Sequence, residues 1–218
     1  MPVPESPQLA WSEIQEWRQK YRKTFPRIRR LPILPSLDAW LIGRVRLMHH
    51  AAGQPVRILD IGAGDRALLA RLEPVRDLID YKSQDIDTKR PHDYYSFSDI
   101  RDRFDIVVVA EVIEHLRAVE LPGFLKAVYE FSADGGWVAV TTPNVCHPNV
   151  FWRDFSHITP MHYYDLSGLL ARSGYGEIGV YRLAKLSLYK RLVAWWYRNL
   201  LELLHCDFAQ SILAVGRK

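Results

Sequence analysis

The stretch "VRILDIGAGDRA" (residues 56–67) constrains the fold more than any other part of the chain. An apolar run typical of a strand ends in Asp60, and a turn with Gly62 and Gly64 follows before the helical pattern "ALLARLE" begins. Glycine allows the backbone to turn sharply and to approach a ligand closely. A strand, a glycine turn and a helix in this order predict a parallel α/β sheet, whose ligands bind at the carboxyl ends of the strands.

The charges around this turn indicate which ligand it binds. With Ala67, the two glycines match the dinucleotide pattern G-x-G-x-x-A, so an NAD-dependent or nucleotide-sugar oxidoreductase is one alternative. However, the carboxylates of Asp60 and Asp65 would repel a diphosphate at short range, whereas they favour an α-ammonium or a sulfonium group. S-adenosylmethionine carries both of these cationic groups, and it is the cofactor we expect.

Strand and helix patterns alternate after Pro55, which predicts a doubly wound, Rossmann-like sheet. The expected strands are "VRILDI", "LIDYKSQDI", a short "DYYSF", "FDIVVVA", "GGWVAVTT", "EIGVYRLA" and "FAQSILAVGR". The first fifty or so residues instead show two helical patterns separated by prolines. We therefore expect an N-terminal helical extension over residues 1–54 that packs on a cofactor-binding domain over residues 55–218.

Further acids follow the later predicted strands. Asp85 lies 25 residues beyond Asp60, which suits a carboxylate that accepts hydrogen bonds from both ribose hydroxyls, and Asp87 is its alternative. Ile86 would pack on the adenine ring, and Asp99 would accept a hydrogen bond from the adenine amine. For Asp85 and Asp99, an exposed loop acid without a ligand is the other interpretation.

These segments together resemble the class I S-adenosylmethionine-dependent methyltransferases, from about Arg57 to the C-terminus. The resemblance depends on "ILDIGAGDR", "YKSQDID", "FDIVVVAEVIEHL", "GGWVAVTTPN" and "DFSHITPMHYYDLSGLLARSGY", in that order and spacing. It implies a seven-stranded sheet whose last strand, "FAQSILAVGR", is antiparallel. It also implies site residues: Gly62, Ala63 and Gly64 around the methionine part of the cofactor, Asp85 at the ribose, and Ala110 and Glu111 beneath the sulfonium. There are two departures from the family pattern: Arg66 replaces a third glycine, and the segment between Asp85 and Phe104 is short, so that its helix is reduced or missing.

The string "EVIEH" after the strand "FDIVVVA" carries candidate catalytic groups. A helix that began there would place Glu111, Glu114 and His115 on one face, and His157 on a later loop could meet them. Carboxylates and imidazoles in this number suit Mg²⁺, Mn²⁺ or Zn²⁺, and the string is similar to that of metal-using small-RNA 2′-O-methyltransferases and ubiquinone-pathway O-methyltransferases. A general base at His115 or His157 without a metal, and a purely structural role, are the alternatives. The metal version and a version in which both imidazoles share the role of base require the two rings to lie within about 10 Å of each other, because each metal–ligand bond spans only about 2 Å.

The acceptor is less well defined by sequence than the cofactor. We expect a hydroxyl group of a sugar, a glycan or another small molecule, with the aromatic loop "FWRDFSHITPMHYYD" stacking on it or packing on the N-terminal helices. RNA is an alternative acceptor, because seven Lys and Arg residues and no acid lie between Arg18 and Arg30. A methyltransferase-like module without activity is a further alternative.

The composition of the chain and one helical segment indicate where the protein is located and what it contacts. The net charge of +4 is too small to indicate a nucleic-acid binder. The two cysteines, far apart in sequence and without a secretory signal pattern before them, predict reduced thiols in the cytoplasm. The amphipathic segment 186–205 is expected to dock its apolar face on the protein's own core or on a second copy. Peripheral contact with a membrane through Trp195 and Trp196 is the alternative for this segment.

Overall fold

A computed structural model describes residues 10–25, 27–185 and 187–218 of the chain. One sheet contains the strands β1 (Ile33–Leu34), β2 (Val56–Ile61), β3 (Ile79–Gln84), β4 (Phe104–Ala110), β5 (Ser132–Pro143), β6 (Gly176–Leu183) and β7 (Ser211–Arg217). Their order across the sheet is β1-β6-β7-β5-β4-β2-β3. Strand β7 is antiparallel to both β5 and β6, and the remaining pairs are parallel. The predicted seven-stranded α/β sheet with an antiparallel last strand is therefore confirmed.

One of the predicted strands is wrong. The segment "DYYSF" makes only an isolated bridge between Gln84 and Tyr94, and the seventh strand is β1, from the N-terminal segment. At Ser83 of β3, a side chain takes the place of a strand partner. The Asp93 carboxylate accepts hydrogen bonds from the Ser83 amide at 2.9 Å and from the Ser83 hydroxyl at 3.1 Å. The segment between Asp85 and Phe104 contains a single 3₁₀ turn and no α-helix, as its short length predicted.

Helices cover both faces of the sheet. They are α1 (Trp11–Thr24), α2 (Leu37–Ala52), α3 (Ala67–Arg71), α4 (Leu121–Phe131), α5 (Tyr163–Ser173), α6 (Leu188–Trp196) and α7 (Arg198–Leu203). Leu125 and Leu170, from α4 and α5, are buried in the core on one face of the sheet. Leu41 and Leu68, from α2 and α3, are buried in the core on the other face. Because helices cover the sheet on both sides, its central strands are buried on both faces, which agrees with their continuous apolar sequences.

The N-terminal helices are joined to the rest of the fold by close contacts. Gly168 of α5 lies against Trp17 of α1 so closely that a Cβ there would come within 2.6 Å of the Trp17 Cβ. Arg18 donates two hydrogen bonds to the Asp165 carboxylate, at 2.7 and 3.0 Å. The boundary at residue 54 stays a prediction.

Helices α6 and α7 leave much of their apolar face exposed in the single chain, so docking of this face on the core or on a second copy stays a prediction. Large apolar side chains of these helices are exposed: Tyr189, Leu192, Trp195, Trp196, Tyr197, Leu200, Leu203 and Leu204. The helices cover cavities at the carboxyl ends of the strands. Within the described residues, no helix has the length and apolar character needed to cross a bilayer.

Candidate active site

The glycine turn after β2 is fixed by contacts with two neighbouring segments. Gly62 and Gly64 have φ values of +70° and +52°, a conformation that side chains disfavour. A Cβ at Gly62 would lie 2.4 Å from the Val112 Cγ2 atom, so the turn touches the loop that follows β4. The amides of Gly62 and Ala63 both donate to the carbonyl of Gln84 at the end of β3. The turn, β3 and the loop after β4 therefore meet at one edge of the sheet.

Asp85 lies directly beside this turn. Its carboxylate accepts hydrogen bonds from the Gly64 amide at 2.8 Å and from the Asp87 amide at 2.9 Å. The Asp87 carboxylate instead accepts from the Lys89 amide, so Asp85 and not Asp87 faces the turn. Ile86 next to it is exposed. A carboxylate and an exposed apolar side chain at this place fit the ribose and the adenine face that the sequence assigned to them.

The two acids of the glycine turn have different surroundings. Asp60 is buried and accepts a hydrogen bond of 2.6 Å from the Tyr81 hydroxyl. Burial raises the pKa of Asp60 to about 6, and the Tyr81 hydrogen bond partly offsets this rise. Asp65 accepts a hydrogen bond from the Ala67 amide and so satisfies one donor in the first turn of α3.

Two further positions clarify the departures from the family pattern. Arg66 adopts a φ of +62°, the left-handed conformation in which the missing glycine would be unstrained. Its guanidinium lies over the Tyr81 ring, 5.6 Å from the centroid. Asp99 accepts hydrogen bonds from the Ser96 amide and the Ser98 hydroxyl, which gives it a local role in its turn. The contact of Asp99 with adenine stays a prediction.

The backbone after β4 differs from the predicted helix. Glu111 donates its amide to the Thr141 carbonyl, which extends the β4–β5 ladder by one residue, and it then turns with a φ of +55°. Only a 3₁₀ turn follows, over Ile113–His115, so Glu111 is not on one helical face with Glu114. Glu111 lines a cavity of about 860 Å³ together with Ala110 and Thr141. Its other walls come from the start of α2 and from α6 and α7, and no pattern in the sequence predicts these elements at this place.

Glu114, His115 and His157 converge on one point. One ligand atom from each lies within 4.8 Å of the other two, and the imidazole centroids are 4.9 Å apart. The loop that carries His157 is held there because the Glu114 carbonyl accepts hydrogen bonds from the amides of Ile158 and Thr159, at 2.9 and 3.0 Å. The two imidazoles thus meet as predicted, well inside the 10 Å limit. Glu111 is not part of this set of possible ligands, although its carboxylate lies close to that of Glu114.

The Glu114 carboxyl group has no hydrogen-bond partner among the described residues. Its side chain is fully buried, and both carboxyl oxygens are unpaired. Burial, with the nearby Glu111 carboxylate as a second cause, raises the pKa of Glu114 to about 8. Buried polar groups are nearly always paired, so this carboxyl fits a partner such as a cation between it and the imidazoles.

The two imidazoles are oriented by backbone carbonyls. The His157 Nδ1 atom lies 2.8 Å from the Phe151 carbonyl oxygen, and the His115 Nδ1 atom lies 3.2 Å from the Ser156 carbonyl oxygen. A carbonyl accepts only from an N–H group, so each neutral ring carries its proton on Nδ1 and its lone pair on Nε2. In this tautomer Nε2 can bind a metal or accept a proton, and one carboxylate with two imidazoles suits Mn²⁺ or Zn²⁺.

The fold and this site define a class of protein: a class I methyltransferase, with a cofactor edge at β2, β3 and β4. The sequence matches the family described as a methyltransferase domain over residues 13–207. The chain belongs to this family, and S-adenosylmethionine is its cofactor. The oxidoreductase alternative is thereby excluded. A search of curated proteins gave no match.

Solved structures share the fold at low sequence identity. An S-adenosylmethionine-dependent methyltransferase from Archaeoglobus fulgidus is 18% identical, with a TM-score of 0.60, 92% of this chain and 99% of that chain covered. Phosphoethanolamine N-methyltransferase 2 from Haemonchus contortus, in complex with S-adenosyl-L-methionine, is 17% identical, with a TM-score of 0.51 and coverages of 81% and 52%. An O-methyltransferase family protein from Burkholderia thailandensis is 10% identical, with a TM-score of 0.55 and coverages of 92% and 59%. These similarities extend to the fold and leave the acceptor open.

Proposed function

We propose that the chain transfers a methyl group from S-adenosylmethionine to a hydroxyl group of a sugar or another small molecule, with a divalent cation held by Glu114, His115 and His157. The observation that carries this proposal is the buried, unpaired Glu114 carboxyl beside two imidazoles whose Nδ1 atoms contact backbone carbonyls. This group lies just beyond the end of β4, next to the loop that touches the glycine turn.

The nature of this cluster favours a hydroxyl acceptor. A neutral amine attacks a sulfonium methyl without help, whereas a hydroxyl group needs a base or a metal to become a good nucleophile. A divalent cation, when bound, would lower the pKa of the acceptor hydroxyl. The residues of the chain orient the reactants: the glycine turn and Asp85 hold the cofactor, and the backbone carbonyls of Phe151 and Ser156 fix the imidazoles.

An exposed aromatic pair supplies a contact surface for the acceptor near this cluster. Trp152 and Phe155 are exposed on the loop that carries His157, and the Phe151 ring packs 5.2 Å from the His157 ring. Exposed aromatic faces stack on sugar or aryl rings. Tyr163 from the same stretch is buried and packs in the core, so the aromatic loop divides into an exposed part and a structural part.

The basic stretch from Arg18 to Arg30 gives less support to RNA than its sequence indicated. Arg18 is paired with Asp165, and Arg27 and Arg29 are paired with Glu202. RNA remains the alternative acceptor, and binding of oligoribonucleotides at low salt tests it.

The exposed apolar face of α6 and α7 supports our proposal of peripheral membrane contact through segment 186–205, of which the structure describes 187–205. Trp195 and Trp196 are 60% and 75% exposed. Tryptophans on an exposed amphipathic helix insert into the boundary between headgroups and acyl chains.

The test is transfer of a tritiated methyl group into fractions of a cell extract, followed by identification of the methylated atom. We expect O-methylated products, a requirement for Mn²⁺, Mg²⁺ or Zn²⁺, and a loss of roughly hundredfold or more in rate for Glu114→Gln. The control is His147→Ala, which removes an imidazole outside the cluster. N-methylated products, or full activity of Glu114→Gln in the presence of a chelator, would contradict the proposal.

A further inference from the structure

A second cavity adjoins the one that Glu111 lines. It has a volume of about 1510 Å³ and lies between the segment after α1, the end of β6, and helices α6 and α7. The two cavities share the wall residues Pro35, Ala184, Lys185, Ala194, Leu201 and Phe208. A single elongated molecule could therefore extend from Glu111 into the second cavity.

The second cavity is strongly cationic. The cationic side chains that line it are Arg22, Arg27, Arg29, Arg30, Arg182 and Lys185. Glu202 pairs with Arg27 and Arg29, and the buried Asp207 pairs with Arg182 at 2.8 Å. Among the described residues, no carboxylate forms an ion pair with the remaining three cations of the wall, Arg22, Arg30 and Lys185.

The first cavity has a different lining. Tyr189, Val193, Tyr197 and Leu200 form much of its wall, opposite Glu111 and Thr141. Aromatic and aliphatic side chains favour an apolar body. The two adjoining cavities thus present a largely apolar surface around Glu111 and a cationic surface farther along. Glu111 in turn lies close to Glu114 of the proposed cation site.

We infer that the acceptor is an amphipathic phosphate ester, whose phosphate group binds in the second cavity among the cations without an ion pair there and whose apolar, hydroxyl-bearing part lies in the first cavity. This inference rests on the proposed function, because it specifies the acceptor of the same site. Arginine suits phosphate because its planar guanidinium donates two parallel hydrogen bonds to adjacent oxygens.

Equilibrium binding to the full chain tests this inference without turnover. The probes are inorganic phosphate, hexyl phosphate and hexanol, titrated in the presence of S-adenosylhomocysteine. We expect hexyl phosphate to bind at least tenfold more tightly than either of the other two probes, because it alone occupies both cavities. The combined substitutions Arg22→Gln and Arg30→Gln should weaken its binding by about tenfold or more, since charge-assisted hydrogen bonds are lost.

The control is Arg46→Gln, which removes an exposed arginine of α2 outside both cavities and should leave hexyl phosphate binding unchanged. Equal binding of hexyl phosphate to the double variant and to the unmodified chain overturns the inference. A second result also overturns the inference: hexyl phosphate does not bind to the unmodified chain, whereas an oligoribonucleotide binds to it and does not bind to the double variant. Failure of the proposed function is distinguishable, because it appears as absent methyl transfer to hydroxyl groups while hexyl phosphate still binds. If the inference holds, vesicles that contain a long-chain alkyl phosphate show whether the natural phosphate belongs to a lipid or to a free metabolite.

Discussion

The substitution Asp60→Asn removes a buried charge from the end of β2 and keeps the hydrogen bond that this position makes. The Asp60 carboxylate accepts a hydrogen bond from the Tyr81 hydroxyl, and an asparagine oxygen can accept the same bond. The two side chains have nearly the same size, so the packing around position 60 is preserved. The variant therefore isolates the effect of ionisation on folding stability.

The expected magnitude follows from the pKa of Asp60. Burial raises this pKa from 3.8 to about 6, so the folded protein favours the neutral acid. Stability from this group is complete below pH 3.8 and is lost as the pH rises through about 6, because the unfolded chain ionises first. At about 1.36 kcal/mol per pKa unit, the loss is about 3 kcal/mol. Asp60→Asn has no such dependence. Because the unfolded chain is already partly ionised at pH 4, the stability of the variant relative to the unmodified chain should rise by about 2.5 kcal/mol between pH 4 and pH 7.

The assay is urea unfolding of both proteins at several pH values between 4 and 7, without cofactor. A difference in the free energy of unfolding that stays constant across this range would refute the reasoning. Tyr81→Phe provides a second check: loss of the donor raises the pKa of Asp60 further, so the decline in stability should extend to higher pH.

Three further predictions concern the glycine turn, the residue after β4 and the exposed helices. Gly62→Ala should lower stability by about 1–3 kcal/mol and weaken binding of S-adenosylhomocysteine in calorimetry, because its Cβ meets Val112 at 2.4 Å; unchanged binding would count against the assigned turn. Glu111→Gly should be about 1 kcal/mol more stable to urea than Glu111→Ala, because only glycine is unstrained at a φ of +55°, and equal stabilities would refute this. Trp195→Ala combined with Trp196→Ala should abolish flotation with anionic liposomes and change stability in solution little; a large loss of stability would instead indicate packing of these exposed side chains on a second copy.

The parts of the fold that depend on local sequence were predictable. The glycine turn, the apolar strand β4 and the end of α5 at Gly174 each follow from a short pattern, and the structure has each of them. The short strand "DYYSF" failed because an apolar pattern does not show which backbone donors are already used. Here the Asp93 side chain takes the amide of Ser83, and β1 completes the sheet at its other edge.

The candidate site was predictable in its composition but not in its geometry. The spacing of "EVIEH" predicted a helix from Glu111, and nothing in the sequence reveals that this non-glycine residue adopts a left-handed conformation. The meeting of His115 and His157 depends on hydrogen bonds from a distant loop to the Glu114 carbonyl, which no local pattern contains. In the same way, the amphipathic pattern of α6 predicts an apolar environment without showing whether that environment is a core, a cavity or a surface.

The central claim is that Glu114, His115 and His157 hold a divalent cation, and Mn²⁺ binding followed by electron paramagnetic resonance tests it most directly. The protein is saturated with S-adenosylhomocysteine and titrated with Mn²⁺, and the free ion is measured at each step. We expect one Mn²⁺ site for each chain, which is lost in Glu114→Gln and in His157→Ala and retained in His147→Ala. A free-ion signal that rises from the first addition in the unmodified protein, or a site that persists in both cluster variants, would contradict it.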